Sequence, residues 1–147
     1  MKSLYNTNDK QEIINRIMTL SPHTPNKWGK MNIAQVLEHC QTGLKGAYGE
    51  INFKRGLIGF LFGGLAKKSL TANHTPFKQN LPTDKAFIVV GQKDFEAERE
   101  KLLVLLKQFS PEKITKSPHP FFGKMTEKEW DIIQWKHLDH HLRQFGA

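Results

Sequence analysis

Two histidines near the end of the chain, His137 and His141, have the residue type and the spacing of metal ligands. In a helix each residue advances by about 100°, so side chains four positions apart lie one turn above the other on the same face. Their ring nitrogens can then converge on one ion, and neutral imidazole suits Zn, Ni, Cu or Fe. The spacing therefore indicates part of a divalent-metal site.

The pattern around this pair predicts an inward-facing helix. With Trp130 set at 0°, His137 falls at about 340° and His141 at about 20° around the axis. The same arc holds the apolar side chains of Ile133, Leu138, Leu142 and Phe145. The charged side chains fall on the opposite side: Lys136, Asp139 and Arg143. Two alternatives stay open, namely a hydrogen-bonded core histidine at either position, and a pair made of His137 and His140.

A metal ion needs at least one further protein ligand, and an earlier helical stretch offers three candidates. His39 lies about 120° from the centre of that helix's apolar stripe, on the side of Gly43 and Gly46, where a small cavity is expected. Glu38 is a competing ligand. Cys40 lies near the stripe centre, so a buried core thiol is its expected role. The residues alone leave the choice of ligand open.

The other histidines lie outside these helices. His23 and His74 fall in polar loops, where we expect them to be solvated. His119 belongs to a proline- and phenylalanine-rich turn, residues 117–123, just before the histidine helix. We expect a rigid corner that packs Phe121 and Phe122 into the core, and a lid over the end of the helix is the alternative.

Four amphipathic stretches predict an all-α fold. They cover about residues 9–20, 32–48, 94–109 and 126–145. Asn32 suits the start of the second helix, and Thr126 with Glu129 forms a capping box at the start of the fourth. Proline-containing segments end the first and third helices, because proline cannot continue a helix.

A long link, residues 49–93, separates the second and third predicted helices. Its apolar part, residues 56–66, is too short for a bilayer span of about 20 residues. We expect a short helix lying over the core, with a membrane-surface segment as the alternative. Residues 71–93 contain two prolines and predict an extended crossover. A link of this length lets the second and third helices run parallel, as in four-helix bundles with one crossover.

The composition predicts one globular domain, residues 1–147, without a nucleic-acid or membrane partner. The net charge of +8 and the pI near 9.6 come mostly from lysines spread along the chain, which favours a solvated surface. The single cysteine and the lack of a signal-peptide run at the start lead us to expect a cytoplasmic protein.

Two blocks of the sequence resemble a known family. Residues 119–126 (HPFFGKMT) and 136–146 (KHLDHHLRQFG) look like the C-terminal signature of a DinB-like family of unknown function. Residues 28–31 (WGKM) and 35–39 (QVLEH) resemble the other half of that family's pattern. The remainder of the chain matches in layout rather than in motif.

The resemblance implies a DinB-like four-helix bundle with a long crossover between helices two and three. It also implies a metal site of three histidines, carried here by His39, His137 and His141. On this comparison His39 is favoured over Glu38, and His141 over His140. Related DinB-like proteins include thiol-dependent transferases and isomerases, besides many members without a known reaction.

We therefore expect a metal-dependent hydrolase or thiol-dependent transferase with Zn or Ni, or else Mn or Fe. Three ligands leave positions open for water or substrate. The expected partners are a small-molecule substrate and a low-molecular-weight thiol, and the apolar crossover suggests a homodimer. Glu38 and His140 are the nearest candidates for a general base. The alternatives are a non-catalytic metal-binding bundle and a basic protein that binds nucleic acid or a membrane surface.

Overall fold

The computed structural model describes residues 1–51, 57–72, 75–81 and 85–147, apart from the side chains of residues 57–61 and 86. The described chain is helical and contains no strand. Its helices are α1 (Thr7–Met18), α2 (Ile33–Tyr48), α3 (Leu57–Thr71), α4 (Phe95–Lys107) and α5 (Glu127–Gln144). Short 3₁₀ turns cover Lys85–Phe87 and Pro111–Lys113. The prediction of an all-α chain is confirmed for these residues.

Capping side chains set the boundaries of the two histidine-bearing helices. Asn32 accepts a hydrogen bond from the Gln35 amide, and the Gln35 side chain accepts one from the Asn32 amide in return. Thr126 and Glu129 form the same reciprocal pair at the start of α5, as predicted. Gly49 ends α2 at φ 76°, a left-handed conformation that glycine adopts without strain.

Buried apolar side chains form one cluster between the helices. Both α1 and α2 pack against α4 and α5, and α3 packs against α5. The largest fully buried apolar side chains are Leu4, Ile13, Ile17, Leu44, Leu102, Leu106, Phe109, Trp130 and Leu138. Each contributes about 1.5–3 kcal/mol relative to an exposed position. This packing holds α2 and α5 side by side.

The link between α2 and α4 differs from its prediction in two ways. The helix α3 extends to Thr71, beyond residue 66 where the expected helix ends, so it includes part of the segment predicted as extended. Within residues 71–93, predicted as an extended crossover, Lys85–Phe87 forms a 3₁₀ turn. The lysine and arginine at positions 54 and 55, Gly56 and His74 lie outside the described residues.

Two of the three charged residues on the outer side of α5 are buried, although their pattern is typical of a solvent-facing side; Arg143 is exposed. Lys136 and Asp139 are 6% and 4% exposed. Asp139 forms ion pairs of 2.8 Å with Arg16 and with Arg143. The Lys136 ammonium donates to the Leu70 carbonyl at 2.6 Å. The reason is that α1 and α3 also pack on α5, where they contact Asp139 and Lys136.

None of the helices in the described ranges combines the length and the apolar content needed to cross a membrane.

Candidate metal centre

Three histidines from two helices meet inside the fold. His39 comes from α2, and His137 and His141 come from successive turns of α5. One ring nitrogen of each lies within 4.8 Å of those of the other two. The three ring centroids are separated by 4.8, 4.8 and 4.7 Å. This cluster of neighbouring histidines can hold a metal ion.

His39 is 6% exposed, although it lies off the apolar stripe of α2. Its Nδ1 atom lies 2.8 Å from the backbone carbonyl of Phe87, in the 3₁₀ turn of the link. A carbonyl oxygen only accepts, so Nδ1 carries the proton and donates. In the neutral ring the Nε2 atom therefore presents a lone pair to the cluster.

The side chain of Gln144 fixes the ring of His141 in the same way. The Gln144 Nε2 donates to the Trp28 carbonyl at 2.7 Å, which identifies the amide orientation. Its Oε1 then faces His141 Nδ1 at 2.8 Å and accepts from it. The Nε2 of His141 is left as the unprotonated nitrogen. The loop before α2 is also bound to the end of α5 through the Lys27 amide and the Gln144 carbonyl, 2.7 Å apart.

His137 completes the cluster by direct contact with His39. Their Nε2 atoms are 2.9 Å apart. The Nε2 of His39 is an acceptor, because its Nδ1 carries the proton. In the absence of a metal ion, His137 therefore donates through Nε2–H.

Burial keeps these imidazoles neutral. It lowers the pKa of His39, and the hydrogen bond to the Phe87 carbonyl only partly opposes it. Burial also holds the pKa of His137 well below the ordinary histidine value, and the adjacent histidines lower it further. The pKa of His141 falls to about 3, again mainly through burial. Metal ions bind neutral imidazole, so little competition from protons is expected near neutral pH.

The donor set fits a transition-metal ion. Two nitrogens bound to one ion at 2.0–2.1 Å are about 3.0–3.4 Å apart. The pair His39 and His137 already approaches that separation at 2.9 Å. The outer limit of 4.8 Å within the cluster requires the nitrogens to approach each other by about 1.4–1.8 Å at most. Three imidazoles suit Zn, Ni, Cu or Fe, whereas Mg and Ca prefer oxygen ligands.

Of the two glycines on this side of α2, Gly43 faces the cluster, whereas the small cavity that was expected there is not lined by any of the three histidines. A Cβ on Gly43 would lie 2.9 Å from Gln134 Oε1 and 3.2 Å from His137 Nδ1, whereas one on Gly46 would meet nothing within 4 Å. Both glycines line a small cavity that His119 and Trp130 also border. Gly43 is therefore the position that lets α2 approach the ring of His137.

The other candidates are engaged elsewhere. Glu38 pairs with Lys93 at 2.7 Å and is no member of the histidine cluster. Cys40 is buried among apolar side chains, and this burial raises the pKa of its thiol, in keeping with the expected core role. His140 packs near the rings of Trp28 and Phe77 instead of joining the three histidines.

His119 forms a corner beside the cluster. Its Nδ1 accepts hydrogen bonds from the amides of Phe121 and Phe122, at 3.0 and 3.1 Å. Its ring centroid lies 5.1 Å from that of Trp130. Burial lowers the pKa of His119 to about 4. The turn forms a corner, but Phe121 and Phe122 are only half-buried and do not join the core as expected. His23 is exposed, as predicted.

The sequence patterns did not reveal the groups that orient the rings. Gln144 follows His141 by three residues, so helical spacing gives a signal for this contact. No such signal exists for the Phe87 carbonyl, because it comes from a distant turn through the backbone.

A family model described as a protein of unknown function (DUF1569) matches residues 2–147. The chain therefore belongs to this family. Neither the curated proteins nor the solved structures yielded a match to the sequence.

Proposed function

We propose that His39, His137 and His141 together bind one divalent transition-metal ion. The observation that carries the proposal is the convergence of three neutral imidazoles, two of them fixed with Nε2 unprotonated. In protein metal sites the other ring nitrogen usually donates to a carbonyl or a carboxylate in this way. Zn and Ni suit this set better than Mn, which prefers oxygen ligands.

The proposed setting is a single DinB-like domain, residues 1–147, built as a four-helix bundle with a crossover that contains α3. The packing of α1 and α2 against α4 and α5 supports this arrangement. The resemblance of residues 119–126 and 136–146 to the DinB-like signature supports it independently of the packing.

The favoured activity is that of a metal-dependent transferase or hydrolase with a small-molecule substrate. A divalent ion held by three protein ligands supplies Lewis acidity, which lowers the pKa of a water or thiol at its open position. His137 and His141 keep a small part of their surface exposed, and we infer that a small molecule reaches the ion from that side. The three imidazoles are themselves neutral, so they leave the positive charge of the bound ion uncompensated, which favours ionisation of a bound thiol or water.

Transfer from a low-molecular-weight thiol fits this site better than hydrolysis. Among the described residues the cluster includes no carboxylate, and Glu38 is paired with Lys93. A thiol has a pKa near 8.5 and ionises much more readily than water, so it has less need of a general base. The same lack of a base also favours a second candidate, a non-catalytic metal-binding bundle.

Metal content and affinity test the proposal. We expect purified protein supplied with Zn²⁺ or Ni²⁺ to retain about one ion per chain after dialysis, as measured by elemental analysis. His137→Ala is expected to weaken the affinity at least about 100-fold in calorimetric titration. His23→Ala, which alters an exposed loop histidine, is the matched control and should leave the affinity unchanged. Circular dichroism verifies that each variant is folded.

Equal metal content in wild type and His137→Ala contradicts the metal site. Turnover assays then separate the two candidate functions. A metal-loaded protein that consumes a thiol and an electrophile, and loses this activity in His39→Ala, supports the transferase. A protein that binds the ion tightly without turnover of any thiol or ester substrate in the panel supports the non-catalytic bundle.

A further inference from the structure

Two of the three clustered histidines have an acceptor at Nδ1, and the third has none among the described residues. The Phe87 carbonyl serves His39, and Gln144 Oε1 serves His141. Within the described residues, the only hydrogen bond of the His137 ring is the one between its Nε2 and His39. His137 therefore differs from its neighbours in how its ring is oriented.

The difference follows from the position of the His137 proton. In the absence of metal this ring donates through Nε2–H to the Nε2 lone pair of His39, 2.9 Å away. An ion bound at Nε2 needs that lone pair, so the proton has to leave this nitrogen. In a neutral imidazole it moves to Nδ1, and the ring keeps its charge while exchanging one tautomer for the other.

A buried acceptor lies beside that nitrogen. Gln134 is 3% exposed, and its Oε1 has no hydrogen-bond partner in the described part of the chain. Gln134 precedes His137 by three residues on α5, so the two side chains share a face. Gln134 Oε1 and His137 Nδ1 both lie within 3.2 Å of the point where a Cβ on Gly43 would stand. The missing side chain of Gly43 leaves the two atoms room to meet.

We propose that Gln134 is the positioning residue for His137, accepting its Nδ1–H when the ring binds metal through Nε2. The inference rests on the proposed metal site and adds a tautomer exchange to it. The side-chain amide of Gln134 can bond to His137 Nδ1 in both the metal-free and the metal-bound tautomer. Its NH₂ group can donate to the unprotonated Nδ1 before binding, and after a rotation its oxygen accepts from Nδ1–H. A buried acceptor without a partner is otherwise unfavourable, and this role explains it.

Two substitutions test the role of Gln134. Gln134→Leu removes the acceptor at similar volume and is expected to weaken Zn²⁺ binding by about 10–100-fold, the usual effect of losing such a partner. Gln134→Glu keeps an acceptor and should restore affinity to within about threefold of wild type. Gln11→Leu, on the exposed face of α1, is the control and should bind as wild type does.

The tautomer of His137 gives a readout that a purely structural role does not alter. Nitrogen-15 spectra of the imidazoles should show Nε2–H at His137 in the metal-free protein and Nδ1–H once Zn²⁺ is bound. In metal-free Gln134→Glu we expect a shift toward Nδ1–H, since the carboxylate can only accept. Unchanged tautomers in this variant, or equal loss of affinity in the Leu and Glu variants, overturn the proposal. Wild-type protein without Zn²⁺ affinity instead overturns the metal site itself.

Discussion

Gly43 is a residue of α2 that lies directly against the side chains of Gln134 and His137 on α5. Its missing side chain leaves the space that Gln134 Oε1 and His137 Nδ1 face. Gly46, almost one turn later on α2, has no atom within 4 Å of the point that a methyl group would occupy. Alanine substitutions at the two positions therefore distinguish crowding of the cluster, which only Gly43 can cause, from the change in helix propensity, which both share.

Gly43→Ala is expected to weaken Zn²⁺ binding by about tenfold or more, because the new methyl group displaces His137 or its partner Gln134. Gly46→Ala is expected to leave the affinity unchanged and to raise the free energy of unfolding by about 0.5–1 kcal/mol, through higher helix propensity. Calorimetric titration and urea unfolding measure the two quantities. Equal affinities in both variants contradict the role given to Gly43.

At the scale of residues, the sequence predicted the three clustered histidines better than it predicted the groups that contact their rings. Spacing alone placed His137 and His141 on one face of α5, and the structure brings both to His39. The choice of His39 over Glu38 came from the family resemblance, because the helix geometry of α2 was ambiguous. Contacts such as that of Phe87 with His39 depend on how distant turns pack, and no local pattern contains that information.

At the scale of elements, α3 is held against α5 and the corner around His119. The Lys67 ammonium donates to the Lys124 carbonyl at 2.7 Å and pairs with Glu129 at 3.1 Å. A Cβ on Gly63 would overlap the Phe121 carbonyl oxygen, so backbone lies against backbone there. Gly64 is exposed, and a methyl group at that position would meet nothing within 4 Å.

Gly63→Ala is therefore expected to lower the free energy of unfolding by about 1–3 kcal/mol, since the methyl group has to push α3 away from the corner. Gly64→Ala is the matched control in the same helix and should raise stability by about 0.5–1 kcal/mol. Urea unfolding followed by circular dichroism measures both changes. If Gly63→Ala is as stable as Gly64→Ala, the close contact between α3 and the corner is absent in solution.

Helical periodicity and capping residues predicted α1, α2, α4 and α5, whereas they did not predict the full extent of α3 in the link. Apolar spacing and the cap residues Asn32 and Thr126 predicted α2 and α5 within a residue or so of their ends. Residues 67–71 of α3 contain two lysines and a serine, so no apolar run marked them as helical. The helix that contains them contacts α5, and Lys67 donates to the Lys124 carbonyl. These are tertiary interactions, which can override local helix propensity.

At the scale of the whole molecule, buried histidines link stability to pH. The pKa of His119 is about 4 in the folded chain, against 6.5 for an ordinary histidine. Between these two values the unfolded chain binds a proton at this position and the folded chain does not. The stability associated with neutral His119 is therefore fully present above pH 6.5 and is lost as the pH falls toward 4.

His119→Asn tests this linkage, because an asparagine oxygen can still accept from the Phe121 and Phe122 amides without titrating. Both proteins are compared in urea with a chelator present, so that metal binding does not contribute. From pH 7.5 to pH 5 we expect wild type to lose about 1–2 kcal/mol more of unfolding free energy than the variant. His137 and His141 are present in both proteins, and their contributions cancel in the difference. Parallel stability curves for the two proteins would mean that His119 is solvated and titrates normally in the folded chain.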